Sequence, residues 1–443
     1  MARDDQSRPG GPPAGSLRTE TGLGRIPRNP DDDYGQEAVE ARLALCEAAA
    51  ARSLPHVRGA PVERSEARGN IENLIGYAQV PLGIAGPLQV DTSDGPLEVL
   101  VPMATTEGAM VAAYSRGMRL FAESARRTTG TGAETGEDSD GARVETKGGE
   151  SAAGQPAARA RVLRSQLSQT PILVYRDAEA AQRAAQSARE SFDKLAAITS
   201  SLTNHGQLAE LRTSVVGRRL VLDLGFTTGD AIGINMAAQA ADRIATAVAQ
   251  TTGASERYVH GQDVEKRAHA RGVLEGRGRS VVCDVTVPRQ VLLERARVSP
   301  EDLAAIARSY AVGYAQMATH NWLVQSANGI AAVMLACGQD VAYVTESANG
   351  QLTLEVDARG DLYASVTLPS LLVGTVGGGT AQGTAAECLD LLGCRGSGRA
   401  NRFAEILAAT VLAGDLSLMA SFCAHEFVGA HERLGRNRPE ASR

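Results

Sequence analysis

The sequence has few aromatic residues, no excess of positive charge and no long apolar run. Aromatic residues make up 4% of the 443 positions, so alanine, valine, leucine and glycine must provide most of the core packing. The net charge of −6 argues against a general nucleic-acid binder, because such proteins need a basic surface. No apolar run approaches the roughly 18 residues of a membrane span, and the N-terminus has no apolar signal-peptide core. We therefore expect no nucleic acid and no membrane among the partners.

Cysteine occurs without a pairing pattern. Six cysteines are scattered along the chain, and no Cys-x-x-Cys pair is found. This spacing rules out a zinc ribbon and a disulfide framework, and it suits a reducing compartment. We therefore expect a cytoplasmic protein that holds no metal ion.

The length of 443 residues exceeds one ordinary domain and predicts two or three structural units. Residues 1–33 are polar and predict a disordered tail, and residues 34–69 predict a small helical part. Residues 124–158 have Val144 as their only large apolar side chain. Such a segment cannot form a core, so we expect a disordered insertion inside a folded domain. A regulatory segment is the alternative.

After residue 170, strand-like and helix-like patterns alternate, which predicts an α+β fold. Asp177, before the first helical run, is a typical N-cap residue. We expect strands at 171–175, 218–226 and 280–288, a hairpin from 352–357 and 362–370, and helices at 37–52, 177–200, 230–250, 300–325 and 401–431.

Glu107 stands between a strand-like run, VPMATT, and a helix-like run. A carboxyl group held near an apolar wall keeps its proton more readily than in water and can donate it at neutral pH. The alternative is a helix-start glutamate that interacts with the helix dipole. Arg116 and Arg119 follow at i, i+3 spacing on the helix, where they form either a phosphate grip or an exposed cationic face.

The segment TTGDAIGINMAAQAAD combines a glycine turn with the start of a helix. Gly233 allows a tight turn and Asp230 can cap the helix, whose first turns contain Asn235. A helix N-terminus among small residues is a ready anion site. The segment lacks the G-x-G-x-x-G fingerprint, so an ordinary Rossmann site is not indicated. A plain capped helix is the alternative.

Two further segments place charge or glycine beside apolar runs. Asp340 follows the apolar run GIAAVMLAC, and a carboxylate in that setting needs a partner because an unpaired buried charge is costly. Lys266 is one candidate partner, and solvated loop charges are the alternative. Residues 376–379 lie in GTVGGGT, where the glycine N–H groups can hold a pyrophosphate or simply form a flexible turn.

His431 follows the long C-terminal helical run, in EFVGAHERLGRNRP. A histidine near a helix end is commonly a surface residue favoured by the helix dipole. The functional alternative is a general acid on a mobile tail, because histidine changes its charge near neutral pH.

The chain resembles the 3-hydroxy-3-methylglutaryl-CoA reductase family in the ordered segments ENLIGYAQVPLGIAGPL, PMATTEG, GDAIGINM, EGRGRSVVC, ACGQD, GTVGGGT and AGDLSLMA. The resemblance is to the soluble, class I-like catalytic domain typical of eukaryotes and some bacteria. It runs from residue 70 to residue 438 and is interrupted by residues 124–158. So many motifs in one order make a chance similarity very improbable.

The resemblance implies an α+β fold with a large CoA- and substrate-binding domain, residues 70–170 and 259–443, that ends in a C-terminal helix and tail. A small ferredoxin-like dinucleotide-binding domain, residues 171–258, would be inserted in it. The family also implies a homodimer or a dimer-of-dimers tetramer with active sites at the subunit interface. We expect the membrane anchor of eukaryotic members to be absent.

The resemblance further implies reduction of an acyl-CoA thioester to an alcohol by two hydride transfers, with NADPH or alternatively NADH as the cofactor. This chemistry needs a cation for the developing oxyanion and protons for the thiolate and the alkoxide. By motif match, Lys266 would be the cation and Asp340 its charge partner. Glu107 would protonate the carbonyl oxygen, and His431 the leaving thiolate. The implied cofactor contacts are Asp230, Gly233, Asn235, Val376, Gly377, Gly378 and Gly379, and the implied CoA or substrate contacts are Glu72, Asn73, Arg116, Arg119 and Asn328.

The chain departs from the family where the far carboxylate of the substrate binds. The family has an arginine, a serine and a lysine there, and the matching positions are Gln169, Val259 and Arg267. Two of three carboxylate contacts are lost, and a charged hydrogen bond is worth about 1.5–3 kcal/mol. The family's Ser-Arg-Phe near the cofactor is replaced at residues 203–205, which weakens recognition of a 2′-phosphate. We therefore expect the usual substrate to bind poorly unless another group compensates.

Three functions remain open from the sequence. The first is an NADPH-dependent hydroxymethylglutaryl-CoA reductase that forms mevalonate for isoprenoid biosynthesis. The second keeps the reductase machinery but acts on a different acyl thioester in a specialised pathway, which the altered substrate positions favour. The third is a pseudoenzyme that binds CoA or a dinucleotide, and the complete set of four ionisable residues argues against it.

Overall fold

The computed structural model describes residues 18–19, 22–23, 25–29, 35–59, 70–71, 78–130, 158–262 and 264–424. Helices and strands alternate through this part of the chain, which confirms the α+β fold. The strands are β1 (Arg18–Thr19), β2 (Gly22–Leu23), β3 (Leu82–Thr92), β4 (Gly95–Ala104), β5 (Ala158–Gln169), β6 (Ile172–Val174), β7 (Gln207–Val216), β8 (Arg219–Thr227), β9 (Glu256–Tyr258), β10 (Gly278–Val287), β11 (Gln351–Val356) and β12 (Leu362–Leu371). The helices are α1 (Gln36–Ala50), α2 (Met110–Gly130), α3 (Ala178–Glu190), α4 (Phe192–Leu202), α5 (Ile234–Thr252), α6 (Ala270–Leu274), α7 (Arg289–Arg295), α8 (Pro300–Met317), α9 (Ser326–Ala336), α10 (Val344–Ser347), α11 (Gly383–Leu391) and α12 (Ala400–Cys423), with 3₁₀ turns at Val341–Tyr343 and Gly378–Ala381.

The expected ferredoxin-like domain is formed by β6, α3, α4, β7, β8, α5 and β9. Its strands lie in the order β7-β8-β6-β9, and each neighbouring pair is antiparallel. This is the split βαβ arrangement of that fold. Asp177 caps α3 by accepting the Ala180 N–H at 2.7 Å. The helix predicted over 177–200 is two helices, because the backbone leaves the helical path at Ser191 (φ −98°, ψ 14°).

The large domain is formed by residues before and after this insertion, and its strands form a mixed sheet. Its strand order runs β11-β12-β10-β5, and β3 pairs antiparallel with β4 and parallel with β5. The predicted hairpin is β11 and β12, in which Gln351 lies opposite Thr367. β5 joins the two domains, because its first residues pair with β10 while Leu167 pairs with Phe226 of β8. The small domain is therefore attached to the large sheet through a shared strand.

α12 is the buried central helix of the large domain and packs against α2, β5, β10 and β12. By length and composition it is apolar enough to cross a membrane, contrary to the expectation that no apolar run approaches that length. However, 78% of this apolar window is buried inside the protein. Gly117 of α2 touches the α12 backbone so closely that a Cβ there would collide with Ala413. The buried Glu405 carboxylate accepts the N–H groups of Ser93 and Val162. α12 therefore belongs to the core.

Several predicted helix ends differ from the observed ones. α8 begins at a capping box between Ser299 and Asp302, but it ends at Met317 because Ala318 adopts a left-handed backbone (φ 49°). α5 begins at Ile234, four residues later than predicted, after the positive φ of Gly233. α12 ends at Cys423, and the remainder of the helix predicted to residue 431 lies outside the described residues from 425 onward.

The two segments predicted to be disordered contain regular structure. β1 and β2 form an antiparallel pair within residues 1–33. α2 continues to Gly130, so the prediction was wrong for residues 124–130, and β5 begins at Ala158. Ser124 is buried and donates to the Leu120 carbonyl at 2.7 Å. A small polar side chain can therefore continue the helix, because the helix backbone satisfies its hydroxyl group. Residues 131–157 lie outside the described residues.

Candidate active site

Lys266 and Asp340 form the ion pair that the sequence predicted. Lys266 lies in the loop after β9, Asp340 lies in the turn after α9, and Nζ is 2.9 Å from Oδ2. The other carboxylate oxygen of Asp340 accepts the N–H of Ala342 at 3.1 Å and caps the 3₁₀ turn. The side chains are 43% and 47% exposed, so a substrate can reach both of them.

Lysine is rare in this chain. Among 45 basic residues there are three lysines, at positions 147, 194 and 266, and the others are arginines. A lysine ammonium is a compact point charge, whereas the guanidinium is a planar fork suited to bidentate pairing. Lys266 was assigned as the cation by motif match. The scarcity of lysine is an independent signal that would have singled it out.

The backbone at Lys266 is fixed in an unusual conformation. Its φ is +56°, in the left-handed region that a lysine rarely adopts. The Lys266 N–H donates to the buried Glu346 carboxylate at 2.6 Å. The ammonium lies 5.0 Å from the centre of the Tyr343 ring, within range of a cation–π interaction. The loop therefore holds the lysine by its backbone and by its side chain.

The turn that carries Asp340 packs against the glycine loop of residues 376–379. The Gln339 side-chain oxygen accepts the Gly374 N–H at 2.9 Å. Gly338 and Gly379 are so close that a Cβ on either would collide with the carbonyl oxygen of the other. Glycine at both positions is therefore required for this contact, which brings the ion pair beside the candidate cofactor loop.

The turn before α5 meets the same part of the chain. The Thr375 N–H donates to the Asp230 carbonyl oxygen at 2.8 Å. Gly233 has a φ of +83°, and a Cβ there would come within 2.5 Å of Thr228. The structure thus joins two motifs that are separated by more than 100 residues in the sequence.

The backbone around residues 376–378 is open. Val376 is 41% exposed, and Gly377 and Gly378 have φ values of +82° and +59°. No atom of the described residues outside their chain neighbours lies within 4 Å of a Cβ built on either glycine. Asn235, in the first turn of α5, is also exposed. An exposed glycine backbone of this kind lets a pyrophosphate approach its N–H groups closely, so these residues fit a dinucleotide.

The Asp230 carboxylate has a role that the sequence analysis did not predict. It was expected to cap α5, but its oxygens accept the N–H groups of Gly398, Arg399 and Ala400 at 2.7, 3.1 and 3.1 Å. Burial raises the pKa of Asp230, but these hydrogen bonds outweigh burial and hold the pKa below its usual value. The expectation was wrong in this respect, because Asp230 caps α12 in the other domain.

Arg279 was also missed as a site residue. Its buried guanidinium donates to the carbonyl oxygens of Val373 and Gly229, both at 2.5 Å, and to the Asn401 side chain at 3.1 Å. Burial lowers the pKa of Arg279 to about 10, although the negative charge of Asp230 acts to raise it. Arg279 therefore ties together the segment before the glycine loop, the turn before α5 and the start of α12. Its position in EGRGRS was the available signal.

Glu107 lies in the exposed turn between β4 and α2, where its N–H donates to Thr105 Oγ1 at 3.0 Å. Within the described part of the chain, no contact joins Glu107 to Lys266 or Asp340. Its charge reaches the buried Tyr114, whose pKa is raised by burial and further by nearby carboxylates that include Glu107.

Arg116 and Arg119 are both exposed on α2, which fits either a phosphate grip or an exposed cationic face. Arg116 donates to the hydroxyls of Ser417 and Ser421 on α12, at 3.3 and 3.2 Å. Arg119 makes no polar contact with any described residue. Arg119 is thus the more available of the two cations.

The three positions expected at the acyl end of the substrate do not share one open pocket. Gln169 is 3% exposed and donates to Glu265 at 2.9 Å, so its side chain is turned inward. Val259 packs against the core, whereas Arg267 is exposed. Asn328 is half-buried in the first turn of α9.

Three predicted site residues, Glu72, Asn73 and His431, lie outside the described residues. In the part of the chain that the structure describes, no group of three or more His, Cys, Asp and Glu side chains is placed to hold a metal ion.

The fold defines the class of the protein as a large α+β domain with an inserted small domain. The family model for hydroxymethylglutaryl-coenzyme A reductase matches residues 38–135 and 146–436. The chain belongs to this family.

Curated relatives carry the same name. The 3-hydroxy-3-methylglutaryl-coenzyme A reductase of Haloferax volcanii is 38% identical over 408 residues, which cover 90% of this chain and 93% of the relative. The enzyme of that name from Pyrococcus abyssi is 34% identical over 412 residues, with 90% and 93% coverage. 3-Hydroxy-3-methylglutaryl-coenzyme A reductase 1 of Oryza sativa subsp. indica is 31% identical over 437 residues, with 91% and 73% coverage.

A solved structure shares the fold. The class II 3-hydroxy-3-methylglutaryl-CoA reductase of Streptococcus pneumoniae, bound to NADPH in open conformations, has a TM-score of 0.66 to this chain. It is 19% identical, and the match covers 86% of this chain and 96% of that one. At this identity the likeness concerns the fold alone.

Proposed function

We propose that this protein reduces hydroxymethylglutaryl-CoA to mevalonate and free CoA, with the consumption of two NADPH and two protons. Addition of hydride and a proton to the thioester carbonyl gives a hemithioacetal. Its C–S bond breaks to give an aldehyde and the CoA thiol, and a second hydride and proton convert the aldehyde to the alcohol. Family membership and the names of the curated relatives support this reaction.

The observation that carries the proposal is the Lys266–Asp340 ion pair beside the glycine loop. In each reduction, negative charge develops on a carbonyl oxygen, and the Lys266 ammonium stabilises it. Asp340 orients the ammonium and balances its charge. By motif match, Glu107 protonates the carbonyl oxygen and His431 protonates the thiolate.

Within the described residues Glu107 makes no hydrogen bond or ion pair with Lys266 or Asp340, and this supports an active site that two subunits complete. A homodimer, or a dimer-of-dimers tetramer, would bring Glu107 of one subunit to the ion pair of its neighbour. Glu72, Asn73, Arg116, Arg119 and Asn328 would contact CoA or the substrate.

Residues in the turn before α5 and in the glycine loop would hold the dinucleotide. When bound, the nicotinamide supplies the hydride in both reductions. The exposed glycine backbone would donate N–H groups to the pyrophosphate, with Asn235 beside it. The residues involved are Asp230, Gly233, Asn235, Val376, Gly377, Gly378 and Gly379. We propose NADPH as the cofactor, and the replaced Ser-Arg-Phe segment at 203–205 leaves NADH as the alternative.

The compartment proposed is the cytoplasm. All six cysteines are free thiols in the structure, and five of them are buried. Burial raises the pKa of several of these thiols, including Cys388 to about 12, which keeps them protonated. Buried free thiols suit a reducing environment.

A second candidate is the same reductase chemistry on a different acyl thioester. It is favoured by the inward position of Gln169, which donates to Glu265 instead of facing a substrate carboxylate. Val259 also offers no polar group to that carboxylate. A thioester whose far end is neutral would lose nothing at these two positions.

The test is to follow absorbance at 340 nm with hydroxymethylglutaryl-CoA and a panel of other acyl-CoAs, using NADPH and NADH, and to identify the products. Mevalonate formation with hydroxymethylglutaryl-CoA as the best substrate supports the first function. A preference for a neutral acyl-CoA supports the second. In that case Gln169→Arg with Val259→Ser should improve binding of hydroxymethylglutaryl-CoA by more than either change alone, because both groups would hold one carboxylate. Absence of turnover with every pair refutes both.

A further inference from the structure

Arg277 is a buried arginine at the base of the Lys266 loop, with 2% of its side chain exposed. Its Nη1 lies 3.0 Å from both carboxylate oxygens of Glu346. Its Nη2 lies 3.3 Å from Glu265. One guanidinium therefore links two carboxylates that come from segments about 80 residues apart.

One of these carboxylates contacts Lys266, and the other belongs to the residue next to it in the chain. Glu265 is the residue before it, and Glu346 accepts the Lys266 backbone N–H at 2.6 Å. The positive φ of Lys266 is disfavoured for a side chain with a Cβ, so the loop needs such external contacts to keep this conformation. Arg277 therefore fixes the chain immediately before the Lys266 Cα, where Glu265 and the Lys266 N–H meet the network.

Glu265 has two further donors. Gln169 donates to it at 2.9 Å, and Tyr343 donates to it at 3.4 Å. The ring of the same Tyr343 faces the Lys266 ammonium. The network thus connects the end of β5, the start of β10 and the 3₁₀ turn next to Asp340 with the lysine loop.

A buried ion-pair network contributes little net stability, because desolvation of the charges offsets most of their attraction. A hydrophobic replacement would fill this space at no greater cost. A stability role alone therefore does not explain three charged side chains packed beneath one solvent-facing lysine. Precise placement of the Lys266 ammonium would explain why these charged side chains lie beneath it.

We propose that Arg277 is a positioning residue, which acts through Glu265 and Glu346 to hold the Lys266 ammonium against Asp340. This inference rests on the proposed role of Lys266 as the oxyanion-stabilising cation. Arg277 itself is buried, and in this proposal it takes no part in proton or hydride transfer.

The variants are Arg277→Lys, which keeps the charge but cannot fork to two carboxylates, and Glu346→Gln, which keeps the volume and an acceptor for the Lys266 N–H. A displacement of the reacting group by about 1 Å can lower the rate on the order of 10²-fold. We expect kcat to fall by this factor in both variants, with KM for the cofactor unchanged. Arg271→Lys is the control, because Arg271 also pairs with two carboxylates, Asp223 and Glu275, but among the described residues it makes no hydrogen bond or ion pair with Glu265, Lys266 or Glu346.

A second readout does not depend on turnover. Trinitrobenzenesulfonate labels free amines, and mass spectrometry resolves the labelled lysines because the chain has so few of them. We expect Lys266 to be labelled faster in both variants, because its ammonium no longer stays on Asp340. Labelling of the exposed Lys194 should be unchanged and serves as the internal reference.

The outcomes separate the inference from the proposed function. Unchanged kcat and unchanged Lys266 labelling in folded Glu346→Gln would overturn the positioning role. Equal losses in Arg271→Lys would show a general loss of packing, which also overturns it. If Lys266→Ala retains full activity, the proposed function of Lys266 fails, whereas the labelling result still decides whether Arg277 positions it. If Arg277→Lys does not fold, Glu346→Gln alone decides.

Discussion

Lys266 Nζ lies 2.9 Å from Asp340 Oδ2, although the two residues are 74 positions apart and belong to different turns. Both turns are supported by the surrounding chain. The Lys266 N–H is fixed by Glu346, and the Asp340 turn packs on the glycine loop through Gly338 and Gly379. The charge that the proposed reaction needs is therefore set in place before any substrate binds.

Replacement of Lys266 by alanine should abolish most of the reductase activity. Removal of one oxyanion stabiliser costs about 10²–10³ in kcat, and CoA binding should survive because Lys266 does not contact the nucleotide in the proposed site. Steady-state kinetics and CoA titration measure the two effects. Lys194→Ala is the control, since Lys194 is an exposed lysine on α4. Turnover within about tenfold of the unmodified protein would show that a residue other than Lys266 provides the cation.

Gly378→Ala should weaken binding of the dinucleotide. Gly378 has a φ of +59°, and its Cβ position is open, so an added methyl group strains the backbone and blocks the approach of a pyrophosphate. Gly217→Ala in the β7–β8 turn is a matched control, with a φ of +56° and the same open space. Both changes should cost about 1–2 kcal/mol of stability. Only Gly378→Ala should raise KM or Kd for the cofactor. Equal KM and Kd in the two variants would show that the glycine loop does not bind the cofactor.

Asp415 should make the protein less stable as the pH rises from about 4 to 6. It is fully buried in α12, accepts the N–H groups of Val324 and Gln325, and burial raises its pKa from 3.8 to about 6. In this window the folded state retains a proton that the unfolded chain releases, so the free energy of unfolding falls with rising pH. A shift of this size corresponds to about 3 kcal/mol.

Asp415→Asn removes this titration. The difference in unfolding free energy between the variant and the unmodified protein should therefore increase in favour of the variant between pH 4 and pH 7, whatever its value at pH 4. Chemical denaturation at several pH values measures the difference. A difference that does not vary with pH would show that Asp415 is not the titrating group.

Deletion of residues 136–145 should leave the fold and the melting temperature nearly unchanged. The family model matches the chain up to residue 135 and again from residue 146, so the intervening residues lie outside the match. Loop length alone changes stability little, because the closure entropy varies only with its logarithm. Thermal unfolding followed by circular dichroism tests this. A large decrease in melting temperature would mean that the segment packs on the protein.

Local sequence patterns were sufficient for most of the secondary structure. The Asp177 cap, the β11–β12 hairpin and the helices α1 and α12 all follow from periodicity and capping residues that act within a few positions. Ordered motifs also identified the family and the inserted domain. The predicted helix ends were wrong where the backbone conformation of one residue ends the helix, as at Ser191 and Ala318.

Only the tertiary structure decided how these pieces form a site. Asp230 caps a helix that begins 170 positions later, Arg277 links Glu265 to Glu346, and Gln169 turns inward to Glu265. These contacts join side chains at irregular spacings along the sequence. No local pattern of residues therefore predicts them. The sequence by itself determined which residues are available for the chemistry. Their distances, burial and charge partners arise when distant segments pack and each buried polar group must find a partner.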